Sequence, residues 1–170
     1  VAIFVGLVMA DGMPGKFIEV NEIACKRLGY TREELLMISP ADIDAPDMVE
    51  QRNAAVKDFS TEKNIVFEMA HIAKDGRRIP VEINANYIEY KGQSVYLAIA
   101  RDITERKQAE DAVVRERDRA QRYFSLAGVM MVVIAADQTV QQINKRGCNI
   151  LGYTEGEIIG KNWFDTFIPG

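Results

Sequence analysis

Few residues in this chain are equipped for chemistry. His71 is the only imidazole, and Cys25 and Cys148 are the only thiols, among 170 residues. One histidine cannot assemble a His-based metal site and two cysteines cannot build a disulfide framework, so no metal centre is predicted. A buried imidazole would need partners for its ring nitrogens and would favour its neutral form; a satisfied strand histidine is the simpler reading. A redox role for either cysteine requires an exposed thiolate of lowered pKa, and only Lys26 beside Cys25 offers a charge, so packing is the expected role of both. Ile72-Ala73-Lys74 follows His71, where a phosphoacceptor histidine would be followed by an acidic residue. No glycine-rich phosphate loop and no cyclic-dinucleotide synthase or phosphodiesterase signature is present. No catalytic residue is predicted, and the chain is not expected to be an enzyme.

Composition points the same way. With 48% hydrophobic and 27% charged residues the chain reads as globular, and a net charge of −4 supplies no basic field for nucleic acid or an anionic membrane surface. The apolar runs Val1–Ala10 and Val129–Ala136 fall short of the roughly 20 residues that a spanning helix needs. No membrane contact is expected within this stretch. Val1–Ala10 runs into the turn cluster Asp11-Gly12-Met13-Pro14-Gly15, which favours strand, turn, strand over a signal peptide. The missing initial Met and the stop at Pro169-Gly170 suggest a piece of a longer protein, and a cytoplasmic location is expected.

The elements that must position any site come from an internal repeat. Asn21…Cys25…Leu28-Gly29-Tyr30-Thr31…Glu34 recurs as Asn144…Cys148…Leu151-Gly152-Tyr153-Thr154…Glu157, seven identities at a constant offset of 123 residues. So long a period implies tandem domains. In each copy the Asn caps a short helix, the Gly ends it, and Thr-x-x-Glu forms a capping box that starts the next. In the first copy a helix is predicted over Asp47–Phe59, with Met48, Ala55, Val56 and Phe59 as its apolar residues. Asn64–Ala73, the turn Lys74-Asp75-Gly76 and Arg78–Glu89 read as a hairpin, with Ile79, Val81, Ile83 and Ala85 on one face and Glu82, Asn84 and Asn86 on the other. Lys91-Gly92-Gln93 turns the chain into Ser94–Arg101, apolar on both faces and therefore predicted to be a central strand covered on both sides. The second copy has a hairpin within Val129–Ile143 but lacks three later strands, so its strand edges and Trp163, Phe164 and Phe167 are expected to lack partners.

Between the copies, 11 of the 18 residues from Glu105 to Arg122 are charged. This stretch reads either as a single amphipathic linker helix or as a weak coiled-coil seam through Val113, Ala120 and Tyr123.

Three motifs in order, namely Asn21…Leu28-Gly29-Tyr30-Thr31-x-x-Glu34, Lys74-Asp75-Gly76 and Ala100-Arg101-Asp102-Ile103-Thr104-Glu105-Arg106-Lys107, resemble PAS domains, the sensory units of bacterial and archaeal signalling proteins such as sensor histidine kinases. The resemblance implies an α+β fold: a five-stranded antiparallel sheet with flanking helices that enclose a ligand pocket, then a long linker helix and a partial second unit. The implied division is a PAS domain with its C-terminal motif at 1–103, a helical linker at 104–127 and the N-terminal half of a second PAS domain at 128–170.

Strand alternation combined with the resemblance turns Phe67, Met69, His71, Val81, Ile83, Tyr96, Ala98 and Ala100 inward as candidate ligand-binding residues. Met69, Val81 and Ile83 taken singly read as core, and the small Ala98 and Ala100 carry the pocket expectation. Arg101, Asp102, Ile103 and Thr104 are the implied signal-transmission joint, where Asp102 or Thr104 can cap the linker helix. His71 falls where light-sensing LOV members hold a flavin-bonding Asn. Their photoactive Cys, second Asn and Gln align with Pro40, Val81 and Ala100, which excludes LOV-type flavin adduct chemistry. The haem-binding members carry their iron ligand on the long helix, here Asp47–Phe59, which contains no His. A non-covalent flavin or a small metabolite remains, or no ligand. The expected function is ligand or partner sensing, transmitted through the linker helix to an output domain, with a homodimer formed along that helix. The alternative is a ligand-free dimerisation scaffold.

Overall fold

The structure is a computed structural model that describes residues 1–9, 12–58, 64–90 and 92–168, with the side chains of 56–58 outside the description. Of the sequence expectations, Asp11, Val56, Phe59, Lys91 and Pro169 lie outside the described residues, Val56 by its side chain only. The chain divides into two compact units, Val1–Gln108 and Ala109–Gly170.

The first unit opens with the hairpin β1 (Ala2–Val8) and β2 (Pro14–Val20). The short helices α1 (Glu22–Leu28), α2 (Arg32–Leu35) and α3 (Pro40–Ile43) follow, then a 3-10 turn at Pro46–Met48 and α4 (Val49–Asp58). Strands β3 (Asn64–Ile72), β4 (Arg78–Tyr90) and β5 (Gln93–Asp102) complete an antiparallel sheet of order β2-β1-β5-β4-β3. The predicted α+β sheet-and-helix fold is therefore present. The reasons are local. Asn21 Oδ1 accepts the Ala24 N–H and starts α1, and Gly29 ends it at φ 75°, a left-handed conformation that suits glycine. Thr31 and Glu34 close the capping box that starts α2.

Ile79, Val81, Ile83 and Ala85 of β4 are buried together with Leu28 of α1, Leu35 of α2 and Ile43 of α3 in one core. Burial of each large aliphatic residue stabilises the fold by about 1.5–3 kcal/mol. Strand β5 is central, but Leu97 and Ile99 on its other face are only half-buried. The cover expected on both sides is partial on each: Val95 of that face is fully buried, and Ala98 of the inner face is half-buried. The described helices of this unit contribute Ala24, Leu28, Leu35 and Ile43 to a core that takes Tyr96 and Ala100 from β5, which leaves the alternate residues of that strand outside it.

Helix α5 (Thr104–Leu126) leaves β5 directly. Asp102, not Thr104, supplies the capping oxygen: its Oδ1 accepts the Thr104 N–H at 2.9 Å. Ile103 is buried and donates its N–H to Pro80 O, and Glu68 of β3 holds Arg106 and Lys107 at 2.7 and 2.8 Å. The root of α5 is fastened to β3 and β4. Among the described residues no helix is long and apolar enough to cross a membrane.

The second unit contains the C-terminal part of α5, the hairpin β6 (Val132–Ile134) and β7 (Val140–Ile143), and helices α6 (Lys145–Leu151), α7 (Glu155–Ile158) and α8 (Trp163–Phe167). It repeats the first in its hydrogen bonds as well as its residues. Phe17 N–H donates to Ile38 O, and Val140 N–H to Lys161 O, at the same 123-residue offset. Asn21 accepts from Ile3 N–H and donates to Val1 O, and Asn144 does the same with Met131 and Val129 across a hairpin five residues shorter. Both hairpins shift register at the same station, Val5/Gly6 and Val133/Ile134.

The expectation that Trp163, Phe164 and Phe167 lack partners is corrected for two of the three. Trp163 is buried with Val140, Ile143 and Ile158, and its ring lies 5.4 Å from that of Phe167. Phe164 is exposed. The cause is the segment after α7, which folds back on β7: Gly160 N–H donates to Val140 O, and Trp163 N–H to Gln138 O, so the strand edge is partly satisfied without the later strands.

Candidate functional site

The first unit encloses a cavity of about 70 Å³ between the sheet and the helices. Alternation sets its floor. Phe67, Met69 and His71 of β3, Ile83 of β4, and Tyr96, Ala98 and Ala100 of β5 line it. Val81 does not: it is fully buried in the adjoining core. The register pairs Ile83 with Ala100 and Ala85 with Ala98, which sets the two small side chains of β5 beside branched or small neighbours and leaves the space open.

Beyond the predicted residues the lining includes apolar side chains such as Phe4, Ile43 and Ile65 and two charged ones that the sequence pattern does not single out. Asp44, at the C-cap of α3, and Arg52, on α4, close the polar end. Asp44 is drawn onto β3 by its backbone bridge to His71 and by the Ala45 N–H donated to Ala70 O at 2.8 Å. Both side chains are buried, Asp44 3% and His71 4% exposed. His71 Nε2 lies 3.9 Å from Asp44 Oδ1, and Arg52 Nη1 lies 3.7 Å from Oδ2; both are ion-pair distances that exceed hydrogen-bond range. Asp44 Oδ2 and His71 Nδ1 are buried without a hydrogen-bond partner. The only hint in sequence is an acid set between the apolar Ile43 and Ala45.

Burial governs the protonation of this group. It pushes the Asp44 carboxyl up to about 7, against the attraction of Arg52. It pushes the His71 imidazole down to about 4, assisted by the positive charge of Arg27. Arg27 Nη1 donates to Ala100 O at 2.9 Å behind the cavity wall. Tyr96 is raised well above the usual phenol range by burial and by the Asp44 charge, and its hydroxyl donates to Gly15 O at 3.2 Å. Its ring sits over Gly6, where an added Cβ would come within 2.1 Å of Tyr96 Oη, so a bare Cα at Gly6 is what seats the ring. The arrangement holds a neutral histidine beside a carboxyl of near-neutral pKa at the end of an apolar space. It can bond a small polar group.

The four residues named for transmission lie apart from this cavity. Arg101, Asp102 and Ile103 line a cleft of about 250 Å³ at the root of α5, together with Glu82, Glu105 and Arg106; Thr104 begins the helix beside it.

The family model described as PAS domain matches residues 2–105 and again 128–170. The methyl sulfide methyltransferase-associated sensor of Methanosarcina acetivorans is 28% identical over 165 residues, which cover 92% of this chain and 16% of that protein. The chain thus spans about a sixth of the curated relative's length. The PAS domain of an HTR-like protein from Haloarcula marismortui is similar at 30% identity and TM-score 0.50, over 60% of this chain and 80% of that one. A PAS domain of a two-component sensor histidine kinase matches at 24% identity and TM-score 0.50, over 59% of this chain and 83% of that one, a likeness of fold.

Proposed function

The chain belongs to the PAS domain family, and from that premise we propose that its first unit binds a small molecule in the cavity and passes the resulting change along α5 to a downstream output domain. PAS domains are sensory modules of signalling proteins. The observation that carries the ligand reading is the space over Ala98 and Ala100, which surrounding side chains leave unfilled in an otherwise dense interior. Its size suits a small metabolite better than a flavin or haem. Residues 1–103 would be the sensor, 104–127 the transmitter and 128–170 the opening of a second PAS domain. Arg101, Asp102, Ile103 and Thr104 would form the joint, because the Asp102 cap can be made or broken as the sheet responds. The output would be a signalling enzyme such as a histidine kinase, in the cytoplasm, where Cys25 and Cys148 stay thiols.

Ala100→Leu tests the cavity. The larger side chain should occupy it, at a stability cost of roughly 1–3 kcal/mol, and abolish binding of whatever molecule native mass spectrometry finds on the parent chain. Binding that survives the substitution would remove the cavity from the mechanism. A parent chain that releases no small molecule on denaturation and shifts its melting temperature with no metabolite would favour the scaffold.

The scaffold reading, and the homodimer we propose in either case, draw on α5. Val113 is 71% exposed and Tyr123 64%, on a helix with no buried residue. A parallel pair of such helices would cover both. Val113→Glu should shift sedimentation toward monomer at a given concentration. A parent chain that is monomeric at high concentration, or a variant that dimerises unchanged, would exclude the seam.

A further inference from the structure

Asp44 and His71 are each more than nine-tenths buried, both line the cavity, and each leaves one polar atom bare. Buried polar atoms in folded proteins nearly always have partners, and a bare one lowers stability. Resting on the ligand-binding reading above, we propose that the molecule this cavity takes is small and uncharged and donates N–H or O–H hydrogen bonds to Asp44 Oδ2 and His71 Nδ1.

The donor requirement follows from the geometry. His71 presents Nε2 toward Asp44 Oδ1 at 3.9 Å, so the ring proton is best held on that nitrogen, and Nδ1 is then a lone-pair acceptor. An ionised Asp44 Oδ2 is an acceptor too. Two bare acceptors among the residues that line the cavity call for a donor to each. The absence of net charge follows from the surroundings. Arg52 of α4 stands 3.7 Å from the carboxylate, and Arg27 of α1 acts on His71 from behind Ala100. A cationic ligand would add a third positive charge around one carboxylate, and an anionic ligand would meet that carboxylate directly. Tyr96 of β5 is the remaining titratable group that faces Asp44, and its hydroxyl is already committed to Gly15 O. Size follows from volume. A dry cavity of about 150 Å³ accommodates benzene, so about 70 Å³ suits a molecule of only a few heavy atoms. Phe4, Phe17, Ile65 and Met69 make the rest of the wall apolar.

Acetamide, acetone, acetate and acetamidinium share one planar four-atom shape and differ in donors and charge. Each is titrated into the full chain while amide shifts of Asp44, Ala70 and His71 are followed by NMR. Acetamide should bind at least tenfold more tightly than acetone. It should also tighten as pH rises from 6 to 8, because the ionised Asp44 is the better acceptor and its carboxyl titrates near 7. Asp44→Asn should erase the pH dependence and shrink the preference, since His71 Nδ1 still accepts. Acetone equal to acetamide, or acetate or acetamidinium the tightest of the four, overturns the donor assignment while leaving the cavity a ligand site. No shift at these residues with any of the four probes means that an ordered water alone satisfies both atoms, and the ligand reading falls with the proposal.

Discussion

Asp44→Asn should make stability climb by roughly 3 kcal/mol between pH 4 and 6.5, a climb that the parent chain lacks. His71 titrates near 4 when folded and near 6.5 when exposed. As pH falls through that window the unfolded chain takes up a proton that the folded chain refuses, and stability is lost. Asp44 works the opposite way. Its carboxyl titrates near 7 when folded against 3.8 when exposed, so stability falls by about 4 kcal/mol as pH rises across that range. In the parent the two slopes cancel between pH 4 and 6.5, because the proton that sits on His71 in the unfolded chain sits on Asp44 in the folded one. Folding relocates a proton without uptake or release. His71→Gln should expose the Asp44 slope alone, with the opposite sign to Asp44→Asn. Urea unfolding from pH 4 to 8 at fixed ionic strength measures all three proteins. The exposed carboxylates, Glu19, Asp47 and Glu68 among them, contribute the same acid-limb background to each. Parallel pH curves for parent and variants would mean that neither group is shifted by burial.

Asn21→Ala and Asn144→Ala should each remove roughly 2–4 kcal/mol from the unit that carries it. One Asn side chain accepts two backbone N–H groups, from Ile3 and Ala24 or from Met131 and Gly147, and donates to Val1 O or Val129 O. Truncation removes the side-chain partner of all three; Ala24 N–H keeps a backbone bond, to Asn21 O at 3.0 Å, and Asn144, nearly fully buried, gives its groups little water in exchange. Asn→Asp keeps the acceptor and should restore most of the stability. Hydrogen exchange at the Ile3 and Ala24 amides, and at Met131 and Gly147, locates the effect: each should accelerate in its own unit. A loss below about 0.5 kcal/mol with unchanged exchange would show that the clamp contributes nothing net.

Much of the fold was legible because its determinants are local. Asn21 and Gly29 bracket α1, Thr31 and Glu34 start α2, and the alternation Ile79, Val81, Ile83, Ala85 sets the face of β4 without reference to anything distant. The cavity floor follows from the same alternation. Its polar end does not. Asp44 and Arg52 belong to a helix terminus and to a helix of weak amphipathicity, and they meet His71 only because α3 and α4 dock over β3. No periodicity in the chain encodes that meeting. Burial of Trp163 escapes a local reading for a related reason: it depends on the backbone bonds by which Gly160 and Trp163 bind the hairpin edge.

The repeated hydrogen bonds separate what the two units share from what they do not. At the offsets that carry the Asn clamp and the Phe17/Val140 bond from one unit to the other, Gly6 corresponds to Ile134 and Asp44 to Phe167. The backbone joints recur in both units, and these interior positions do not. Where one copy keeps a bare Cα beneath a tyrosine, the other has a branched side chain. Where one keeps a buried acid, the other has a ring stacked on Trp163. The two units share a scaffold and differ in interior chemistry, so the carboxyl that Asp44 presents to the first cavity has no counterpart at Phe167.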